Sequence, residues 1–196
     1  MPKFALVLIG FQNDYFSDDG ILHSYISESS AVTGALSNTI KLIENHHDSF
    51  DVIVSTPICF TENYDELSNP IGILSAIKEV GAFKQGTYGA KEISQFDPFK
   101  DVITTIPGKR GLNAFTDTEL ESFLLENDIS DVVLAGTVTS ICIDSTGRSA
   151  HEKGFNVTIL NDCTSSRTPF EQQFYCEHVF PLYSRVIGSK ELVNLL

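Results

Sequence analysis

Apolar residues in this chain gather in short dense runs, with stretches of helical spacing between them. The runs Phe4 to Ile9, Val52 to Ser55, Asp101 to Ile106, Asp131 to Ala135 and Phe155 to Leu160 are rich in β-branched and aliphatic residues. A strand with one wet face alternates polar and apolar side chains, so runs that are apolar nearly throughout suit strands covered on both faces. Helical patterns between such strands predict a mostly parallel central sheet with helices on both sides, a three-layer α/β/α arrangement. One domain, residues 1–196, accommodates the whole pattern, and no internal repeat or linker divides it.

Helix boundaries follow from local signals. Val32, Leu36, Ile40 and Ile43 predict one amphipathic helix after the first strand, ending near His46-His47. Thr116 with Glu119, and Thr168 with Glu171 beside Pro169, match the capping box and mark two further starts. Another helix is expected from a Thr139 cap to about Lys153, closed by Gly154. The segment Pro57 to Lys100 has mixed polarity, scattered glycines and one short helical piece at Ile73 to Val80. It is expected to form loops over one end of the sheet and to supply substrate contacts.

Composition narrows the setting. With 196 residues, the chain can bury a sizeable core without disulfides or metals. The formal net charge of -13 argues against a nucleic-acid backbone or an anionic membrane as partner. No apolar run approaches the roughly 20 residues of a membrane span, and the N-terminus does not read as a signal peptide, so a cytoplasmic location is expected. Cys59, Cys142, Cys163 and Cys176 are widely spaced with no C-x-x-C pair, which suggests neither a zinc cluster nor a disulfide framework. None of the five histidines falls at a metal-ligand spacing, and no phosphate-binding glycine motif is present, so no metal or cofactor is implied.

Cys142 carries the best functional clue, because it falls in the first turn of the helix that follows the Asp131 strand. Unpaired backbone N–H groups there favour a thiolate, the form that attacks carbonyls. Ligands of open parallel sheets bind beyond the carboxyl ends of the strands. Gly10, Pro57, the Pro107-Gly108-Lys109 turn and Cys142 each follow a predicted strand, so they are expected at one edge with Lys109 near Cys142. A lysine beside the thiol would stabilise its charge and help hold an oxyanion.

Three ordered motifs resemble the isochorismatase-like cysteine hydrolases, which have a Rossmann-like fold. Leu8-Ile-Gly-Phe-Gln-Asn-Asp-Tyr-Phe16 resembles the family's opening strand and Q-N-D-F turn. Lys109-Arg-Gly-Leu-Asn-Ala-Phe115 resembles its lysine motif, and Gly136-Thr-Val-Thr-Ser-Ile-Cys142 its nucleophile turn. The resemblance implies Cys142 as nucleophile, Lys109 as catalytic lysine and an oxyanion hole from the backbone N–H groups of Val138 and Cys142. It also implies a cis peptide between Thr137 and Val138, and a homodimer or homotetramer. Gln12, Phe16 and Thr137 are taken as contacts to a small-molecule substrate.

Gly10 departs from the family, because it occupies the position of the catalytic aspartate and can transfer no proton. Loss of such a shuttle costs about 10² to 10⁴ in rate. Asp14 is the nearest carboxylate, and its simpler reading is a turn residue bonded to local backbone. Asp65, Glu66 and Asp97 of the covering segment are alternatives. The segment after the second strand, Ser55 to Thr61, lacks the histidines that nicotinamidases use to hold a metal. Phe83, Tyr88, Phe96 and Phe99 suit packing of a covering loop better than a pocket wall. The leading expectation is a cysteine hydrolase that cleaves a carbon–nitrogen bond of a small amide or carbamoyl compound. The alternative is an inactive family-fold protein, natural or carrying an engineered Asp-to-Gly change.

Overall fold

Six parallel strands form one sheet in the order β3-β2-β1-β4-β5-β6 in a computed structural model that describes residues 2–196. The strands are β1 (Phe4–Ile9), β2 (Val52–Thr56), β3 (Ile103–Thr105), β4 (Asp131–Thr137), β5 (Asn156–Ser165) and β6 (Arg185–Ile187). Among the described residues the α-helices are α1 (Asn13–Phe16), α2 (His23–Thr33), α3 (Ala35–His46), α4 (Ile73–Val80), α5 (Leu120–Glu126), α6 (Asp144–Glu152), α7 (Pro169–Phe174) and α8 (Ser189–Leu192), with short 3-10 and π-helical turns between them.

The apolar runs are explained by two cores. Ala5, Val7 and Ile9 of β1 pack with Leu120 and Leu124 of α5 and Ala150 of α6. Phe4, Leu6 and Leu8 of the same strand pack on the other face with Leu42 and Ile43 of α3 and Leu192 of α8. Period-two alternation thus sends successive β1 side chains into different dry layers, which gives the three-layer α/β/α fold.

Several boundaries differ from the sequence pattern. The helix expected through Val32 and Ile43 is two helices, because Gly34 takes φ 68 and caps α2 through its N–H to Ser30 O at 2.9 Å. Val32 consequently lies on α2 and is 71% exposed. The Thr116–Glu119 box does not form: Asp117 at φ 56 interrupts the helical path, and Thr118 Oγ1 accepts from Leu120 N instead. The Thr168 cap is present, accepting from Glu171 N at 3.1 Å with Pro169 in the first turn. Strand β3 is shorter than expected, β5 runs on to Ser165 past a register shift between Leu134 and Gly136, and β6 was not foreseen. β6 is a three-residue edge strand with no fully buried position, which leaves too little apolar signal to read.

The segment between β2 and β3 covers the carboxyl edge of the sheet, as expected. Its Ile58, Phe60, Tyr64, Leu67 and Ile77 join Tyr15, Leu22, Ile26 and Val138 in a third core. An eight-residue helix such as α4 is too short to persist alone, so the burial of Ile77 at 3% exposure holds it in place. Among the described residues, no helix is long and apolar enough to cross a membrane.

Candidate active site

Strand β4 delivers Cys142 to the carboxyl edge through a tight register with β1, in which Ile9 lies opposite Gly136. A Cβ on Gly136 would sit 1.8 Å from Ile9 O, so only glycine lets the two backbones approach this closely. Beyond the cis peptide Thr137–Val138 the chain makes a wide π-helical turn, Thr139–Ile143, before α6. The expected Thr139 cap is absent, because its hydroxyl donates to Gln172 Oε1 at 2.5 Å and holds the turn against α7. Val138 O accepts from the N–H groups of both Ile141 and Ile143. Cys142 remains in the first turn and is 8% exposed.

Lys109 reaches the same point from the turn after β3. Ile58 and Lys109 pair as an isolated parallel bridge, which fixes the Lys109 backbone beside the end of β2. The lysine is 1% exposed, and its Nζ donates to Gly111 O at 2.5 Å and to Cys142 Sγ at 3.5 Å. Among the described residues it forms no ion pair with a carboxylate. The expected meeting of Lys109 with Cys142, 33 residues apart, is present. The two enclose a cavity of about 10 Å³, room for one water molecule, whose wall also includes Ile9, Tyr15, Thr137 and Val138.

Gly10 lies next to this cavity rather than in it. A Cβ there would meet Thr137 O at 2.8 Å and Thr137 Cγ2 at 3.1 Å, and φ is +72, a conformation that side chains disfavour. Position 10 is therefore not an open slot for a carboxylate on this backbone.

Two expected substrate contacts are placed elsewhere. Gln12 is fully buried and spends its amide on Ile58 O, Ala90 O and Ile58 N, clamping the covering segment to the end of β1. Phe16 stacks on Phe11 at 5.1 Å, outside the cavity wall. Thr137 does line the cavity, with its hydroxyl donated to Ser165 O at 3.0 Å.

Asp14 binds backbone, but across the fold rather than in its own turn, since Phe83 lies 69 residues on in the covering segment. It is 3% exposed and accepts from Phe83 N at 2.6 Å, and burial holds its carboxyl above the usual range. Glu66 accepts from Thr61 and Arg110, Asp97 pairs with Lys100, and Asp65 accepts from the Thr61 hydroxyl. None of these carboxylates lines the cavity. Phe83 packs on Tyr15 and Phe96 on Phe11, as covering-loop residues.

Sequence reasoning missed Tyr15 and the aliphatic wall as parts of this site. Burial, then the neighbouring Cys142 and Tyr25, pushes the Tyr15 phenol well above its ordinary range, so it stays uncharged. The Ile73, Leu74 and Ile77 spacing of α4 was the available signal for the wall. Burial also raises Cys59, Cys163 and Cys176, the last to about 12, which separates them chemically from a nucleophile. Among the described residues, no group of three or more His, Cys, Asp or Glu side chains is placed to hold a metal.

Residues 4–191 match the Isochorismatase domain family. Over 88 residues the chain is 36% identical to the uncharacterized isochorismatase family protein YecD of Escherichia coli O157:H7, a match covering 45% of this chain and 47% of that protein. Over 175 residues it is 25% identical to the probable inactive nicotinamidase At3g16190 of Arabidopsis thaliana, covering 84% of this chain and 82% of that one. Among solved structures, N-carbamoylsarcosine amidase from Thermoplasma acidophilum shares the fold, with a TM-score of 0.73 at 21% identity over 95% of this chain and 96% of that chain.

Proposed function

This chain belongs to the isochorismatase family, and we propose that it is a cysteine hydrolase cleaving a carbon–nitrogen bond of a small amide or carbamoyl compound at Cys142. The observation that carries this reading is the buried contact of Lys109 Nζ with Cys142 Sγ at 3.5 Å, with no carboxylate paired to the lysine among the described residues. An ammonium in a dry site favours the thiolate beside it. The fold shared with N-carbamoylsarcosine amidase is compatible with this bond class, whereas the probable inactive nicotinamidase At3g16190 bears on the second reading below.

In this mechanism Cys142 Sγ bonds to the carbonyl carbon, and the carbonyl electron pair moves to oxygen. The N–H groups of Val138 and Cys142 hold that oxyanion. On collapse the C–N bond breaks, and the nitrogen leaves with a proton from Lys109 Nζ, the proton carrier in contact with the reacting sulfur. Water then attacks the thioester and returns a proton to Lys109, and the acid departs as the thiolate re-forms. No step requires a side chain at Gly10.

The test is incubation with a pool of primary amides and carbamoyl compounds, followed by intact-mass spectrometry and an ammonia assay. Ammonia release that disappears in Cys142→Ser supports the hydrolase. A second reading is an inactive family-fold protein, favoured by the absence of a carboxylate from the cavity wall. Absence of both ammonia and a Cys142 adduct across the pool establishes that reading instead.

A further inference from the structure

The wall of the Cys142 cavity is aliphatic on nearly every side. Ile73, Leu74 and Ile77 come from α4, Ile58 from the end of β2, Leu112 from the lysine turn and Ile141 from the nucleophile turn. Its polar side chains are few and largely committed. Thr137 Oγ1 donates to Ser165 O, Lys109 Nζ to Gly111 O and Cys142 Sγ, and the Tyr15 phenol is uncharged. Arg110, the next cation along the chain, turns away from the cavity to Glu66 at 3.2 Å.

A carboxylate brought into such a space loses its hydration and meets, in Lys109, an ammonium already donating to Gly111 O and Cys142 Sγ. The desolvation of an ion costs several kcal/mol unless it is paired and hydrogen-bonded, whereas a methyl or propyl group gains by leaving water. The enclosed volume of about 10 Å³ further limits what fits without a shift of the α4 wall.

We propose that the group delivered to Cys142 is a small, uncharged aliphatic acyl group, selected by the aliphatic face of α4 with Ile58, Leu112 and Ile141. This rests on the reading of Cys142 as the nucleophile and adds a substrate class to it. Charged acyl groups, such as those bearing a second carboxylate, are excluded by the same wall. Coulomb attraction to Lys109 acts in the opposite direction, so the preference separates an apolar sieve from an anion clamp.

Alkyl methanethiosulfonates test this without turnover, because a thiolate attacks the sulfenyl sulfur, a disulfide forms and methanesulfinate leaves. Propyl, 2-sulfonatoethyl and 2-aminoethyl reagents are compared by mass spectrometry of the Cys142 peptide, each rate divided by that reagent's rate with N-acetylcysteine. The expected result is a propyl rate about tenfold or more above both charged reagents. Leu112→Arg, at a rim residue 37% exposed, is expected to raise the sulfonatoethyl rate about tenfold relative to propyl.

An anionic rate equal to or above the propyl rate, an unchanged ratio in Leu112→Arg, or no modification of Cys142 by any reagent overturns the proposal. Ammonia release from butyramide and succinamate then separates the two readings. Preference for propyl with no ammonia from either amide or from the pool of amides and carbamoyl compounds sinks the hydrolase and leaves the apolar sieve standing. Faster turnover of succinamate sinks the sieve and leaves the hydrolase.

Discussion

Replacing Gly10 by alanine tests whether the end of β1 is built around a missing side chain. The residue sits at φ +72, and an added Cβ would lie 2.8 Å from Thr137 O, a backbone atom that cannot rotate aside. The left-handed conformation costs a non-glycine residue about 1–2 kcal/mol. Forcing an extra carbon into a packed site costs about 1–3 kcal/mol. A combined loss of about 2–5 kcal/mol lowers the melting temperature of a domain this size by about 4–20 °C. Two controls separate the contributions in thermal unfolding followed by circular dichroism. Gly86 has φ +83 but nothing within 4 Å of its would-be Cβ, so Gly86→Ala reports the conformational cost alone. Gly111 has open space and no left-handed φ, so Gly111→Ala is expected to melt close to the parent. A Gly10→Ala protein that melts no lower than Gly86→Ala refutes the reasoning, because the Thr137 contact would then carry no cost. The same geometry predicts that Gly10→Asp loses stability rather than restoring a proton shuttle.

Two other outcomes follow from named contacts. Lys109→Met removes the ammonium from Cys142, so alkylation of Cys142 by iodoacetamide at about pH 7 should slow by about tenfold or more; an unchanged alkylation rate refutes the activated pair. Burial raises Glu171, but hydrogen bonds from Arg167, Ser166 and Ser140 outweigh it and bring the carboxyl to about 2. Because the folded value lies below the unfolded one, this carboxylate contributes up to about 3 kcal/mol that is present above about pH 4.5 and lost as pH falls toward 2. Urea melts across that window should show a shallower acid loss for Glu171→Gln than for the parent, and parallel curves would contradict the assignment.

Much of the fold was determined by the sequence itself, because a strand dry on both faces must be apolar throughout. That constraint marked β1, β2 and β4 nearly to their ends, and it marked the start of β5. The order of strand and helix then placed Lys109 and Cys142 at one edge, since parallel strands end on the same side. Edge strands leave weaker marks: β6 and the trimmed β3 lack buried residues to signal them. Gly34 lay within an unbroken helical period, and only its left-handed turn split α2 from α3.

Within the site, the sequence brought Lys109 together with Cys142, but only the tertiary structure decided what surrounds them. Gln12 and Phe16 sit in a motif beside the pocket, yet whether a side chain faces a cavity or clamps a loop depends on where the covering segment lies. That segment brings Ile73, Leu74 and Ile77 over Cys142 from far along the chain, and no local pattern encodes such a contact. The room at Gly10 was likewise decided in three dimensions. A glycine in sequence is a missing side chain, whereas here its backbone angle and the carbonyl of Thr137 leave no room for one.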